Sequence, residues 1–597
     1  MHFISAGSII EHAKKEQKNL TRKKLCHGIC TEQALYAIEA DRYETDTLMI
    51  DILLQRLGKS PDKLEIVLSQ EAYRLVRLRD LIEEAVLRGR KKLADMVLQS
   101  YPAQNSVNQM YQKRMQACLS YRMDQDYEHA ASLLQQAVAL TLPCFSYETM
   151  EDYLISTIEM ENLLALERIQ FEYVPQENRQ HHIRHLEQCM EYIEKHFKDE
   201  EEKAKICSKC TWLLARTYFE QGETVRAMVL CEKGIDGLRK HTMIYFMLPL
   251  LELMVQIGNK LGIAPEQNKY VKYHESLRFL WDSYAQKWYP TDMLFHNCCQ
   301  KEYHLDYELI KSERTAQHIN QEALIDGIYQ NAASLSRLEN AKASPNRKTF
   351  EKLMKKLGLE KGRYNGFVAT TSFETMELRH QLDIAQAHDE YEKAEKILEQ
   401  LRSQLNTKIA ENQRVLEDAE IQIQKNLHKI SVEHALERQK MLFEGLLDSD
   451  KKEFRHIPMR NEVLIINHYC GMLSQIGYKN EAIALYIHAL EKMRKSHINI
   501  KYRYRSFSLL LCNYVYEYRD LTAAYETLRN ELSCGKASVL PFCLIDLLHI
   551  WDCEGKPERE CMKLSEYIYY ISDLFHFSNE KKNYADFLQR KKVIILL

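Results

Sequence analysis

The side chains of this chain that could do metal or nucleophilic chemistry stand in two places. Cys207 and Cys210 form a CxxC pair, a spacing at which two thiolates can share a zinc ion. His181 and His185 lie one helical turn apart, with His182 beside them, so a helix would carry both imidazoles on one face. Neither set is complete. Zinc as a rule takes four ligands, no second cysteine pair stands at ribbon spacing, and neither HExxH nor a facing carboxylate cluster accompanies the histidines. The chain also lacks GxGxxG, the P-loop GxxxxGK[ST] and GxSxG. No enzyme activity, cofactor or metal is expected. The 16 cysteines, in a chain opening without a signal peptide, read as reduced thiols of a cytoplasmic protein.

Only 18 glycines and 11 prolines punctuate 597 residues, against average usages of about 7% and 5%. With Leu, Glu, Lys, Gln and Ala abundant, the chain predicts helices joined by short turns. Sustained period-two alternation is absent, so no strand is expected and the fold class is all-α. The greasiest stretches, Met243–Val255 and Val539–Trp551, are shorter than the ~20 residues of a membrane span. Each also carries an acid, Glu252 or Asp546, and both read as buried helices. The net charge of −3 excludes a globally basic nucleic-acid coat but leaves room for a local basic face.

The elements that position any such face occur twice. LCHGICTEQALYAIEADRYETDTLMIDILLQRLG and LIDGIYQNAASLSRLENAKASPNRKTFEKLMKKLG stand about 300 residues apart. Leu35, Glu39, Leu53, Leu57 and Gly58 have identical counterparts at Leu335, Glu339, Leu353, Leu357 and Gly358. The register continues through Leu78/Leu378, Arg79/Arg379, Ala85/Ala385 and Ala94/Ala394, and upstream it slips by one, to Leu25/Leu324 and Gly28/Gly327. In the second copy Asn320 caps a helix over Gln321–Ile328 and a further helix covers Ala333–Asn340. Pro345 permits a turn, and Lys348–Leu357 is amphipathic and ended by Gly358. The expectation is a five-helix head with a tight turn between helices two and three.

INQEALIDGI followed by SLSRLENAKASP resembles the Cro and phage-repressor type of helix-turn-helix, the XRE family. The resemblance implies that Gln321 meets a phosphate and that Asn331, Ala333, Ser334 and Ser336 lie along the groove side of the third helix. It gives Arg337 and Lys342 to the DNA backbone. Glu339 is expected to hold the fold, by pairing with Arg337 or capping backbone groups. The first copy keeps the frame, with Thr21 as cap, but has Tyr36-Ala37 in place of Ser336-Arg337, and Arg22 where glutamine is expected. Its contact set, Arg22, Thr31, Gln33, Tyr36 and Arg42, ranks second because Glu32 among them repels phosphate. Lys14, Lys15, Lys18, Lys23 and Lys24 supply nonspecific attraction.

Beyond each head the chain reads as tetratricopeptide-like helix pairs. Leu214, Ala215, Tyr218, Gly222, Ala227 and Gly234 fit the repeat frame, as do Gly477, Ala482, Tyr486 and Ala489, and Cys118, Tyr121, Ala130 and Ala137. Residues 390–443, charged and nearly free of breakers, read as long helices. The organisation expected is a degenerate head over 1–68, repeats over 69–290, a second head over 303–365, and repeats over 366–597. Head plus repeats resembles the Rgg and PlcR regulators, whose repeats bind a signalling peptide and control DNA binding; those carry one head per chain. The resemblance points to Asn467 and Asn513 as peptide clamps, since an amide can bond both N–H and C=O of a peptide. Two readings stand. One is a DNA-binding transcriptional regulator whose body senses a peptide or protein, with double-stranded DNA as partner and a homodimer left open. The other is a helical-repeat scaffold or sensor with vestigial heads.

Overall fold

The computed structural model describes residues 4–17, 20–40, 42, 45–174, 179–285, 301–359, 362–448 and 450–591. Lys18 and the 286–290 end of the first body lie outside them. In chain order the first head is α1 (Ala6–Lys15), α2 (Arg22–Cys26), α3 (Glu32–Glu39) and α4 (Thr47–Arg56), followed by β1 (Glu65–Leu68). The first body is α5 (Gln70–Leu87), α6 (Lys91–Ser100), α7 (Ser106–Leu119), α8 (Tyr127–Thr141), α9 (Thr157–Tyr173), α10 (Gln180–His196), α11 (Glu200–Glu220), α12 (Thr224–Lys240), α13 (Met247–Lys260) and α14 (Lys269–Tyr284). Next come β2 (Glu302–Leu305), the second head of α15 (Asp306–Ala316), α16 (Gln321–Ile325), α17 (Ala332–Glu339) and α18 (Arg347–Lys356), and β3 (Tyr364–Asn365). The second body is α19 (Phe373–Ala387), α20 (Tyr391–Gln404), α21 (Ala410–Asn426), α22 (Val432–Glu444), α23 (Arg460–Gln475), α24 (Lys479–Arg494), α25 (Tyr504–Tyr518), α26 (Leu521–Cys534), α27 (Leu540–Cys553), α28 (Glu558–Leu574) and α29 (Ser578–Arg590).

The fold is all-α, and three expectations need correcting. Among the described residues each head has four α-helices, not five, and helix two ends early, at Ile325, because Gly327 (φ +69°) takes the left-handed turn that breaks it. Residues 390–443 form α20, α21 and most of α22 instead of long helices. The breaks come at Asn406, whose Oδ1 accepts from the Lys408 N–H, and at left-handed His428 ahead of the Ser431 cap. Among the described residues there are also three short strands. They are two to four residues long, too short for alternation to show, and β1 pairs with partners more than 200 residues away.

Within the bodies the helix pairs close as small residues dictate. Gly222 (φ +88°) and Gly477 (φ +97°) make the turns α11–α12 and α23–α24 in the left-handed region open to glycine. Ala130, Ala227 and Ala482 are wholly buried where the paired helices meet. A Cβ on Gly234 would lie 2.5 Å from Thr211 Oγ1, so only glycine lets α12 approach α11 there.

The two halves face each other across a pseudo-twofold. β1 and β3 pair antiparallel with Glu65 opposite Asn365, residues equivalent under the 300-residue repeat. Met243 and Lys536, each in the loop between the eighth and ninth body helices, form a second antiparallel bridge. The tenth body helices, α14 and α28, also meet: Phe279 packs on Tyr567 with centroids 4.6 Å apart, and Tyr273 lies 6.3 Å from Tyr570 and donates to Asp573. Contact of an element with its own equivalent is the mark of an isologous, twofold interface. Both heads spring from the same sheet. The Ile4 carbonyl and N–H bond Tyr364 just before α1, and β2, parallel to β1, runs directly into α15.

Candidate nucleic-acid interface

A buried glutamate at the end of the third helix organises each head. Glu339 accepts from Arg314 Nε (2.6 Å) and Nη2 (3.0 Å) and from Gln321 Nε2 (2.8 Å). Glu39 takes the same place, paired with Lys14 and with Arg22 Nε at 2.5 Å. Gln317 donates to the Leu357 carbonyl at 2.9 Å and Gln17 to the Leu57 carbonyl at 2.7 Å, the same bond at positions 300 residues apart. Charge-assisted bonds of this kind are strong where water does not compete. Gln321 and Arg22, expected at phosphates, are therefore turned toward the buried glutamates, and the partner of Glu339 is Arg314 instead of Arg337.

α17 opens with Asn331, whose Oδ1 accepts from the Ser334 N–H (3.2 Å) and hydroxyl (3.3 Å). Asn331 is thus the helix cap and is itself exposed. Leu335 and Leu338 turn inward, which leaves Ala333 and Arg337 exposed and Ser334 and Ser336 half-buried on the outer side. Lys342 is exposed just past the helix, with Lys348, Lys352 and Lys355 of α18 exposed nearby in sequence. Among the described residues none of these five cations, Arg337 included, has an ion-pair partner. In α3 the same positions carry exposed Glu32, Gln33 and Tyr36 after the Thr31 cap, whose hydroxyl accepts from the Ala34 N–H at 3.1 Å. The guanidinium groups of Arg22 (5.2 Å) and Arg42 (5.6 Å) both lie within cation–π distance of the Tyr36 ring.

The heads sit differently on their bodies. Arg56 at the end of α4 is buried: it donates to the Leu25 and His27 carbonyls, to the Thr141 carbonyl at 2.9 Å, and to both carboxylate oxygens of Glu159. Gly28 packs so closely on α8 that a Cβ would lie 2.2 Å from the Thr141 oxygen. Lys356, the equivalent of Arg56, donates to the Ala323 and Asp326 carbonyls at the surface, and nothing lies within 4 Å of a Cβ on Gly327. The second head is held instead through α15. His456, before α23, lies 2.7 Å from Glu313 and 2.8 Å from Glu462. Glu308 accepts from the His497 N–H at 2.8 Å and from Ser496 Oγ at 2.8 Å. Burial opposes protonation of His456, but Glu462 and Glu313 raise its pKa to about 10.

A cavity of about 270 Å³ lies between the bodies. Its apolar wall includes Ile384, Val463, Leu464, Leu509, Val539 and Phe577, and its polar groups include Glu201, His380, Arg460, Arg505 and Lys536. Burial works against Glu201 ionising, yet Lys536 and His380 hold its carboxyl well below the usual range. Burial pushes His380 down and Glu531 up to about 7. Asn467 and Asn513 lie one turn beyond this lining, half-buried. The Asn513 amide donates to the Leu509 carbonyl at 3.0 Å, and Asn467 Oδ1 accepts from the Tyr486 hydroxyl at 3.3 Å. Sequence reading missed the cavity because its polar groups come from segments of both halves, with no local motif to join them.

The facing carboxylate that the histidine cluster lacked in sequence is supplied by α9. Glu167 accepts Tyr147 Oη at 2.6 Å and lies 2.6 Å from His182 Nδ1 and 3.0 Å from His185 Nδ1. Glu167, His182 and His185 bring one ligand atom each within 4.8 Å of one another, a set that could hold a metal ion. Cys207 and Cys210 are buried in α11.

No protein-family model matches the chain, and no curated protein matches it. Among solved structures it is similar to PlcR of Bacillus thuringiensis in complex with the peptide PapR7 and DNA, at 14% identity and TM-score 0.32, over 47% of this chain and 99% of that one. ComR from S. thermophilus, with DNA and its signalling peptide ComS, aligns at 15% identity and TM-score 0.30 over 48% of this chain and 100% of that one. The Cut9–Hcn1 assembly of the APC/C aligns at 12% identity and TM-score 0.23 over 87% of this chain and 96% of that one. Similarity at this level identifies no relative. Among the described residues no helix is long and apolar enough to cross a membrane.

Proposed function

We propose that this chain is a DNA-binding regulator whose second head docks on duplex DNA through α17, and whose repeat bodies take a peptide or protein ligand. One observation carries the reading: Arg337, Lys342, Lys348, Lys352 and Lys355 are exposed and unpaired among the described residues, while the inward charges of the same head are paired. Unpaired cations along and beside a helix whose outer side is short and polar suit phosphates flanking a groove. The cavity between the bodies, apolar with a few convergent charges, is the site where a ligand would couple to the heads. The reading includes no enzymatic step.

The test is a gel shift on random duplex with wild type and Arg337→Ala/Lys342→Ala. The variant is expected to bind at least ~10-fold more weakly at ~0.1 M salt, with the slope of log K against log salt reduced by about two. Equal retention with an unchanged slope removes the groove-docking role and leaves the heads as protein-binding modules.

A further inference from the structure

Three contacts join equivalent parts of the two halves: Glu65 with Asn365, Met243 with Lys536, and α14 with α28. Translation along the chain axis cannot place an element against its own equivalent in antiparallel sense, whereas a twofold does so by construction. Each head is tied to the sheet on that axis at both ends. α1 begins beside the Ile4–Tyr364 bridge and α4 returns to β1, while α15 continues β2 and α18 returns to β3. The heads are also neighbours: Ile38, Thr47 and Ile50 of the first and Arg347 and Phe350 of the second line one small cavity. A single chain therefore presents two third helices about one axis, the disposition that a homodimer of one-headed chains reaches by association.

The two presented faces are unlike. α17 offers Ala333, Ser336 and Arg337 with Lys342 beyond, whereas α3 offers Gln33, Tyr36 and Ala37 with the acid Glu32 in its first turn. An exposed carboxylate accepts from a cytosine amino group and a glutamine amide suits adenine, while guanidinium and ammonium groups favour guanine edges or phosphate. The docking of the heads also differs, Arg56 on α8 and α9 against His456 on α15, so the half-sites need not lie at equal distances from the axis.

We propose that one copy of this chain binds a bipartite duplex made of two different half-sites in inverted orientation, one under each head. The proposal rests on the DNA-binding reading. It is tested by selecting duplexes from a random library with the full chain, then measuring stoichiometry by sedimentation on the selected duplex. The expected result is two unlike sequence elements in inverted orientation, one chain per duplex, and at least ~10-fold weaker binding when one element is reversed in place. Arg337→Ala/Lys342→Ala is expected to remove footprint protection from one element only. A selected single element bound by two chains, or a direct repeat bound as well as the inverted one, overturns the proposal and leaves DNA binding intact. Retention of no duplex overturns both.

Discussion

Arg56 and Glu159 form a closed ion pair, with side chains 1% and 0% exposed, that fastens the first head to its own body. Arg56 Nε lies 3.1 Å from Glu159 Oε2 and Nη2 lies 2.5 Å from Oε1, a two-point geometry available to a guanidinium and not to the Lys356 ammonium of the second head. Glu159 is itself held by the capping box that starts α9, so the pair links a head helix to a body helix through fixed partners on both sides.

Removing one partner leaves a buried charge without its counterion, which costs about 3–5 kcal/mol. Glu159→Ala is expected to lower the melting temperature of the full chain and raise hydrogen exchange in α2 and α4. Exchange there at wild-type rates would show that the first head does not depend on this pair.

The two turn glycines separate space from conformation. Both are left-handed, Gly28 at φ +76° and Gly327 at φ +69°, so alanine is strained at either. Only at Gly28 does the added methyl meet a backbone oxygen, at 2.2 Å. Gly327→Ala is expected to cost about 1–2 kcal/mol, and Gly28→Ala more than that or displacement of the first head from α8. Equal losses in denaturant titrations of the two variants would contradict the packed turn.

Glu339 should govern the second head without touching DNA. Glu339→Ala leaves Arg314 and Gln321 without their shared acceptor and is expected to cost about 2–4 kcal/mol, by loss of buried charge-assisted bonds. Protease cleavage within 306–356 should speed up while the second body stays intact. Unaltered cleavage would place the stability of the head elsewhere.

The His456 clamp makes second-head docking pH-dependent. Its folded pKa of about 10 lies above the ordinary value near 6.5. Its contribution is therefore complete below about pH 6.5 and is lost as pH rises through about 10. Glu462, against burial, is lowered to about 2 by His456, so its contribution is present above about pH 4.5 and is lost as pH falls through about 2. Stability of the wild type should fall between pH 7 and pH 10 more steeply than that of His456→Gln. The same slope in both proteins would exclude the clamp.

Helix content was legible because breakers are few, while Leu35, Glu39, Leu53, Leu57 and Gly58 recur in the sequence at a fixed interval. Glu39 recurs as Glu339, and Glu339 is expected from sequence to hold the fold by pairing with Arg337 or capping backbone groups. Its partners stayed hidden because Arg314 and Gln321 reach it from other helices, across the fold. The breaks at Asn406 and His428 depend on single residues in turn conformations that periodicity does not report. The strands and the cavity are built by contacts between halves, and a one-dimensional pattern holds no record of which segments will meet.

The bridge between Met243 and Lys536 and the crossing of α14 with α28 belong to one covalent chain, and that changes how the pair responds to abundance. Two separate subunits come apart on dilution, so the fraction assembled tracks the cellular copy number. Here the linking polypeptide fixes the local concentration of each half near the other, independent of how many molecules are present. A cell holding only a few copies therefore keeps the two halves in the paired form.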